Sequence, residues 1–495
     1  MGNSLPRVLG PWMATAIVIG TVIGSGVFKK PHAVAKDLSE LSSDGTMVVA
    51  ADFGVIMIAW ILVGLLSFIG ALIIAEVAVI HPRAGGNYVF LREGYGRWAG
   101  FLWGWVEFWI IRSGSIAALA GVFTESFHDI LRFVKGVDAP AELLGFWARQ
   151  GVTVTVIAVL ASVNARGTIL GGGLQLVVTT VKATSLIGIA LLPFAWLALS
   201  SDSTVEVARL EPIWPATWAS NMWSKFGSAL VGILWAYHGW MNLAPMAEEV
   251  KEPNRNLPLS FLAGTLAIVV LYLGVNLAYH LVVPREDMIA LGGNNPVATL
   301  FAFRLLGPIG LLLGSAAIMI SVFGALNGNL LVGPRLLFAM GKDGLAPSTM
   351  CRLHARYGTP VLAIVVLSSW AILLVLGAAV LKFVGILEKA LFDILTDYAM
   401  FGAIAFETLA VASIFMCRRA YPVDKVALPY RCWGYPVLPI VYVAVMAAVL
   451  VNMFVTQRTE SLIAVGFMGV GGLVYVLLFA RAKPTSSPST SEPEA

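Results

Sequence analysis

Long apolar runs alternate with short polar loops along the whole chain. About twelve of these runs hold roughly 18 or more mostly apolar residues, the length a helix needs to cross a bilayer. They cover residues 9–28, 55–80, 98–123, 146–163, 174–199, 223–246, 259–283, 309–340, 361–380, 394–416, 437–455 and 462–480. The pattern predicts an all-α polytopic membrane protein.

Two of these runs are interrupted where a plain membrane helix would continue. The first contains Gly24-Ser25-Gly26, three poor helix formers in one turn, and the sixth is interrupted over Trp235-Ala236-Tyr237-His238-Gly239-Trp240. A helix broken at mid-membrane frees backbone groups that hydrocarbon cannot satisfy, so the break must face protein or a wet cavity. Paired breaks in two halves of a chain point to a transport site. The alternative is that the glycines only let helices pack closely.

The spacing of the breaks predicts two five-helix units, each opening with a broken helix. Adjacent units with an odd number of helices insert in opposite senses, which gives an inverted repeat. We place the first repeat at about 9–199, the second at about 223–416 and two extra helices at about 437–480, all within one domain over 1–482. The Pro- and Ser-rich tail at 483–495 is predicted to be disordered and cytoplasmic.

Composition supports this class and argues against others. The chain is 58% hydrophobic and 12% charged, against about 25% charged residues in soluble proteins. The net charge of +4 is spread over the loops and indicates no nucleic-acid partner. Three cysteines are too few for a disulfide framework or a metal cluster. The six histidines are dispersed, so an enzyme site is not indicated, and no metal or cofactor is expected.

The distribution of lysine and arginine sets the orientation. These residues are enriched in the loops on the side that holds both termini, for example at Arg83, Arg92, Arg418 and Arg419. By the positive-inside rule those loops and both termini should be cytoplasmic. We therefore expect a multi-pass protein of the cell membrane.

The two breaks suit the two charges of an α-amino acid. A half-helix that begins near Gly24 points its free N–H groups and positive dipole end at the break, which favours a carboxylate. The second break offers carbonyls for an ammonium group. Trp235 is a candidate lid, with a packed core tryptophan as the alternative. The predicted substrate-binding residues are Val22, Ile23, Gly24, Ser25, Gly26, Trp235, Ala236, Tyr237, His238 and Gly239.

Two cations lie inside apolar runs and are functional candidates, because charge at that depth is costly. Lys182 could stand where a sodium-coupled carrier binds Na⁺, or it could extend to the membrane surface. Arg112 needs a partner, and we consider Asp393, Asp397 and Glu107. The predicted coupling or gating residues are Lys182, Trp235, Arg112 and Asp397.

Three further titratable residues lie within the apolar runs. Glu76 and Glu407 are intramembrane carboxylates to which the pattern assigns no role. His238 could titrate near neutral pH, but a neutral imidazole bonded to backbone is the favoured interpretation.

Several motifs together resemble the amino acid-polyamine-organocation superfamily, specifically its L-amino acid transporter branch. They lie at 23–28 with Pro31 following, 82–88, 101–105, 236–240, 248–258, 326–328 and 335–344. The resemblance implies a twelve-helix protein with the leucine-transporter-like inverted repeat and sodium-independent amino acid exchange. Lys182 then matches the lysine at the second sodium site of related carriers, and Trp235 falls at the aromatic gate.

The chain also departs from the branch it resembles. His238 and Met241 replace residues common there, so the side-chain preference is open. Eukaryotic members attach to a glycoprotein subunit through a cysteine between the third and fourth helices, and none is present here. A stand-alone carrier without a disulfide-linked subunit is therefore expected. Proton-coupled uptake through Lys182, Glu76 or His238 and a non-transporting sensor stay as alternatives.

Overall fold

A computed structural model describes most of the chain. The described residues are 4–41, 47–49, 52–136, 142–200, 204–215, 221–292, 295–386, 391–422 and 425–480, with the backbone alone at 40–41, 47–49 and 391–399. The tail at 483–495 lies outside these ranges, so its disorder stays a prediction.

The first five spans are built from eight helices. They are α1 (Pro11–Val22), α2 (Gly26–Leu38), α3 (Phe53–Ile80), α4 (Asn87–Tyr95), α5 (Arg97–Val106), α6 (Ser113–Lys135), α7 (Phe146–Ala165) and α8 (Thr168–Leu199). Strands β1 (Glu40–Leu41) and β2 (Met47–Val49) form a small antiparallel pair after α2. A π-helical turn, Glu107–Arg112, joins α5 to α6 within the third span.

In the part of the chain that the structure describes, the next five spans are built from nine helices and a 3₁₀ segment. They contain α9 (Met222–Tyr237), a 3₁₀ segment (Trp240–Glu249), α10 (Pro253–Val282), α11 (Arg285–Ala290), α12 (Val297–Leu306), α13 (Pro308–Val332), α14 (Pro334–Lys342), α15 (Val361–Phe383), α16 (Leu391–Ala412) and α17 (Ile414–Ala420). Two further spans end the fold, α18 (Val437–Thr456) and α19 (Arg458–Leu478). Short 3₁₀ turns, Val207–Leu210 and Ser348–Cys351, lie in loops.

Eleven helical segments of the described residues are long and apolar enough to cross a membrane. The predicted sixth span is not among them because α9 has 16 residues and ends at Tyr237. The chain then continues as a 3₁₀ helix from Trp240. The all-α membrane fold and the breaks in its first and sixth spans are confirmed.

The broken first span lies in the middle of the molecule. Within its most apolar window, 72% of the residues are buried by other parts of the protein, against 17% for the last span. The helix α1 packs against α8, α10 and α13. Peripheral helices expose large apolar side chains such as Leu191 and Leu473, as expected for surfaces that face lipid. The break is thus enclosed by protein, as a freed backbone in hydrocarbon requires.

Candidate substrate site at two helix breaks

The first break covers Ile23 to Ser25, between α1 and α2. The amide of Gly24 donates to the carbonyl of Val22 at 2.7 Å, whereas a continued helix would direct it to the carbonyl of Gly20. The Gly20 carbonyl therefore loses its helical partner. In a buried position it needs another donor.

Lys182 from α8 supplies that donor. Its Nζ lies 2.5 Å from the carbonyl oxygen of Gly20 and 2.6 Å from that of Ile23, with the carbonyl of Ser321 at 3.4 Å. The hydroxyl of Ser321 lies 3.0 Å from the Ile23 oxygen and 3.1 Å from that of Gly24. Lys182 is 1% exposed. Its ammonium stays at the break and does not extend to the membrane surface.

Two hydroxyl groups connect the first break to the second. The hydroxyl of Tyr272, on α10, lies 3.1 Å from the carbonyl oxygens of both Val22 and Ala236. Its single proton is shared between them. The hydroxyl of Thr21 lies 3.0 Å from the carbonyl of Gly239 and also near carbonyls of its own helix. The two interruptions are therefore neighbours in space.

The two glycines of the first break have different surroundings. A Cβ atom at Gly26 would lie 2.6 Å from the Cα of Ala236, so the two breaks approach each other at a distance that only glycine allows. A Cβ atom at Gly24 would meet Leu119 at 3.5 Å and Ala325 at 3.6 Å, which are ordinary contacts. Gly26 serves close packing, whereas the position of Gly24 has room for a Cβ atom.

The second break is a two-residue interruption after Tyr237. Gly239 has a φ of +111°, in the left-handed region that favours glycine. The His238 ring stacks on Trp235, with ring centroids 6.2 Å apart and planes inclined by 4°. The Nε2 of His238 lies 3.0 Å from a carboxylate oxygen of Glu407 on α16. In place of the expected backbone group, the fold brings the carboxylate of Glu407 to Nε2, and the neutral state of the ring stays a prediction.

A buried polar cluster lies beside the second break. In the π-helical turn, residues five apart face the same side, and Nε of Arg112 donates to Glu107 at 2.8 Å. The other guanidinium nitrogens of Arg112 donate to side-chain oxygens of Asn329 and Asn242, each at 2.8 Å. Of the partners considered for Arg112, Glu107 is confirmed. The side chains of Asp393 and Asp397 lie outside the described residues, so the gating role of Asp397 stays a prediction.

Two cavities meet at the pair of His238 and Glu407. The larger one encloses about 390 Å³ not occupied by protein atoms, and the smaller one about 340 Å³, in both cases including space open to solvent. His238 and Glu407 line both. The larger cavity is also bordered by Asn87, Glu107 and Arg112. Residues 22–26 line neither of these two cavities.

Glu76 has a different environment. Its carboxylate lies 2.7 Å from Nε of Arg418, and the amide of Cys432 donates to it at 2.7 Å. Arg431 approaches to 3.7 Å. Glu76 is fully buried. These contacts join α3 to α17 and to the segment that follows it.

The sequence did not identify several residues that complete the site. Tyr272, Thr21 and Ser321 bridge the breaks, but a hydroxyl inside an apolar run usually bonds to its own helix. Asn242 and Asn329 complete the shell of Arg112. A polar side chain at bilayer depth was the available signal for the two asparagines. No such signal marks Tyr272.

The arrangement can hold two opposite charges without covalent chemistry. The start of α2 presents free N–H groups to an anion. The carbonyl of Ala236 accepts the Tyr272 hydroxyl and keeps a second lone pair for a cationic donor. The carbonyl of Gly239 already accepts from the Thr21 hydroxyl and the Asn242 amide. Charge complementarity between backbone dipoles and a small zwitterion is the chemistry that this geometry offers.

Comparison with known proteins identifies the family. A family described as amino acid permease matches residues 9–479. The chain belongs to this family. The permease is 30% identical over 479 residues to the serine/threonine exchanger SteT of Bacillus subtilis (strain 168), which covers 95% of this chain and 96% of that protein.

Two relatives from Homo sapiens are also similar to this permease. The b(0,+)-type amino acid transporter 1 is 24% identical over 489 residues, which is 97% of this chain and 89% of that protein. The large neutral amino acids transporter small subunit 2 is 26% identical over 371 residues, covering 73% and 63%. The resemblance to the L-amino acid transporter branch is thereby confirmed. The family and these relatives are transporters, not enzymes.

Proposed function

We propose that the permease exchanges L-amino acids across the cell membrane, without sodium, by alternating access. The observation that carries the proposal is the contact between its two helix breaks. The Tyr272 hydroxyl touches a carbonyl of each break at 3.1 Å, and Gly26 lies against Ala236. One small zwitterion can therefore reach both breaks. Discontinuous helices of this kind form the substrate sites of secondary transporters.

The zwitterion binds through backbone groups. Its carboxylate accepts hydrogen bonds from the amides that open α2, near Ser25 and Gly26, where the helix dipole is positive. Its ammonium donates to the free lone pair of the Ala236 carbonyl, at the end of α9. Such contacts recognise the part that all α-amino acids share. The side chain of the substrate contacts the residues around Trp235.

Lys182 accounts for independence from sodium. Its ammonium lies on the carbonyl oxygens of Gly20 and Ile23 and near that of Ser321. Oxygen ligands of this kind suit a hard cation. The ammonium of Lys182 is a covalently attached cation and occupies the position of a bound ion, so the transport cycle need not import one. This supports an exchanger over a sodium symporter.

During transport the segments that carry the breaks rock against the rest of the bundle, so the bound amino acid faces each side in turn. The Lys/Arg distribution supports a cytoplasmic position for both termini. Among the described residues all three cysteines, Cys351, Cys417 and Cys432, are unpaired and buried. We therefore propose a carrier that works without a disulfide-linked subunit. Exchange is also in the name of the Bacillus subtilis relative.

Counterflow in proteoliposomes tests this function. Vesicles loaded with unlabelled L-serine should take up labelled external L-serine much faster than empty vesicles, because exchange requires an internal partner. Replacing Na⁺ by choline should leave the rate unchanged. Vesicles that contain Gly24→Leu are the control, since the side chain fills the space beside the first break.

Other outcomes would favour the rival functions. Uptake into empty vesicles that a pH gradient alone drives would replace exchange with proton symport. Tight binding of L-serine with no flux under either condition would identify a sensor. A rate that falls when Na⁺ is removed would contradict the role given to Lys182.

A further inference from the structure

His238 and Glu407 form a titratable pair at the boundary between the two cavities. Nε2 of His238 and the Glu407 oxygen are 3.0 Å apart, an ion-pair distance without hydrogen-bond geometry, with side-chain exposures of 16% and 11%. Both residues line the larger cavity and the smaller one. Their charges thus border the space next to the second break.

The charges of His238 and Glu407 set the net charge of this space, because the neighbouring charges cancel. Among the described residues, the other charged or titratable groups that face it are Glu107 and Arg112 from the π-helical turn and Tyr442 from α18. Glu107 and Arg112 pair with each other, so their charges cancel. With a neutral imidazole the space carries one negative charge, and with an imidazolium it carries none.

An unpaired acceptor lies in the same cavity. Asn87 is 5% exposed, its side-chain nitrogen contacts the sulfur of Met241 at 3.3 Å, and its Oδ1 has no hydrogen-bond partner among the described residues. Glu407 borders the same cavity. A buried acceptor without a donor is costly. Asn87 and Glu407 together suit a ligand that donates several hydrogen bonds and carries a positive charge.

We propose that Glu407 is a cation subsite occupied either by protonated His238 or by the cationic side chain of a bound amino acid. This rests on the proposed amino acid transport and extends its substrates to amino acids with an amine or guanidinium side chain. A buried carboxylate needs one counter-charge, and a second cation beside it is repelled. A lysine side chain that reaches Glu407 therefore binds while His238 releases one proton to water. A neutral amino acid releases none.

The pH dependence of competition in the wild-type protein is the first test. Labelled L-serine uptake by counterflow is inhibited with L-lysine from about pH 5 to about pH 8, the range in which imidazole titrates, with equal pH on both sides. The inhibition constant of lysine should fall about tenfold per pH unit while His238 is protonated and then level off, because one proton is displaced. L-norleucine, of similar length and uncharged, should show no such slope.

Two variants assign the effect to the pair. His238→Gln should abolish the slope while lysine still inhibits, because no proton must leave. Glu407→Gln should weaken inhibition by lysine relative to norleucine at least about tenfold, because the counter-charge is lost. Glu252→Gln removes a loop carboxylate whose side chain is 71% exposed and should retain the wild-type slope.

The outcomes separate this inference from the proposed function. Serine exchange with no inhibition by lysine at any pH overturns the cation subsite and leaves the exchanger intact. Inhibition by lysine that is independent of pH in the wild-type protein overturns the competition with His238. A Glu407→Gln variant with an unchanged lysine-to-norleucine ratio places the cation elsewhere. Absence of any serine exchange is a failure of the proposed function itself.

Discussion

Both helix breaks free backbone groups from helical hydrogen bonds, and the surroundings of the two breaks differ. At the first, a fixed ammonium and hydroxyl groups cover the freed carbonyls, with Lys182 1% exposed. At the second, the interruption is short, and His238 faces Glu407 across the boundary of two cavities. The first break is enclosed and satisfied by groups that do not change. The second borders space and groups that can titrate.

This difference suggests a division of labour within one site. In this proposed division, backbone groups at the breaks recognise the charges common to all α-amino acids, and they need a rigid setting. Side chains beside the second break distinguish one amino acid from another. If the division is correct, changes at the first break should reduce transport of every substrate, and changes to the side chains beside the second break should alter preference.

Removal of Lys182 is the change with the largest expected effect. Lys182→Ala leaves the Gly20 carbonyl without its hydrogen-bond donor. It also removes one of the two donors to the carbonyl of Ile23. Each such loss costs about 1–3 kcal/mol, or about 2–6 kcal/mol in total. Transport of all substrates should fall at least about 30-fold, since 1.4 kcal/mol is a factor of ten. Counterflow of several amino acids with equal amounts of inserted protein measures this.

Ser185→Ala is the matched control for Lys182. It removes a hydroxyl from the exposed face of the same helix, where it bonds only to the carbonyl of Val181. Transport by this variant should match wild type. Full activity of Lys182→Ala would make the lysine incidental, and recovery of its activity with added Na⁺ would show that the carbonyls form a cation site.

The glycines of the first break give the next largest effect. Gly26→Ala places a Cβ atom 2.6 Å from the Cα of Ala236, and overpacking of this kind costs about 1–3 kcal/mol. Transport should drop about fivefold to 100-fold, and the melting temperature of the protein should also fall. The Cβ atom added by Gly24→Ala makes contacts of 3.5 Å or longer. This variant should change transport and the melting temperature little. Equal losses in the two variants would contradict the packing role of Gly26.

The fold was predictable because its signals are local. A run of apolar residues reports a membrane helix, and Gly24-Ser25-Gly26 interrupts one regardless of what surrounds it. Lys182 was also predictable as a functional candidate, because a charge at bilayer depth is costly in any fold. The short second break was harder, since Trp235 to Tyr237 are still helical.

The partners across the site were not predictable because they depend on tertiary contacts. Tyr272 is separated by 250 residues from Val22 and by 36 from Ala236, and a tyrosine in an apolar helix is unremarkable on its own. Glu407 was visible as an intramembrane carboxylate, but nothing in the sequence pairs it with His238. The sequence offered three possible partners for Arg112 and could not select among them. A π-helical turn gives no periodic signal that marks residues 107–112.

Trp235 tests the second half of the division with the smallest effect. Its ring stacks on His238 at 6.2 Å, and such aromatic contacts contribute about 0.5–1.5 kcal/mol. Trp235→Ala should change the ratio of transport rates for large and small side chains about twofold to tenfold while the exchange itself persists. Trp223→Ala, in the first turn of the same helix and 78% exposed, is the control. An unchanged ratio in Trp235→Ala would reduce this tryptophan to packing, whereas loss of transport of all substrates would show that side chains beside the second break also serve the part common to all substrates, and would end the division.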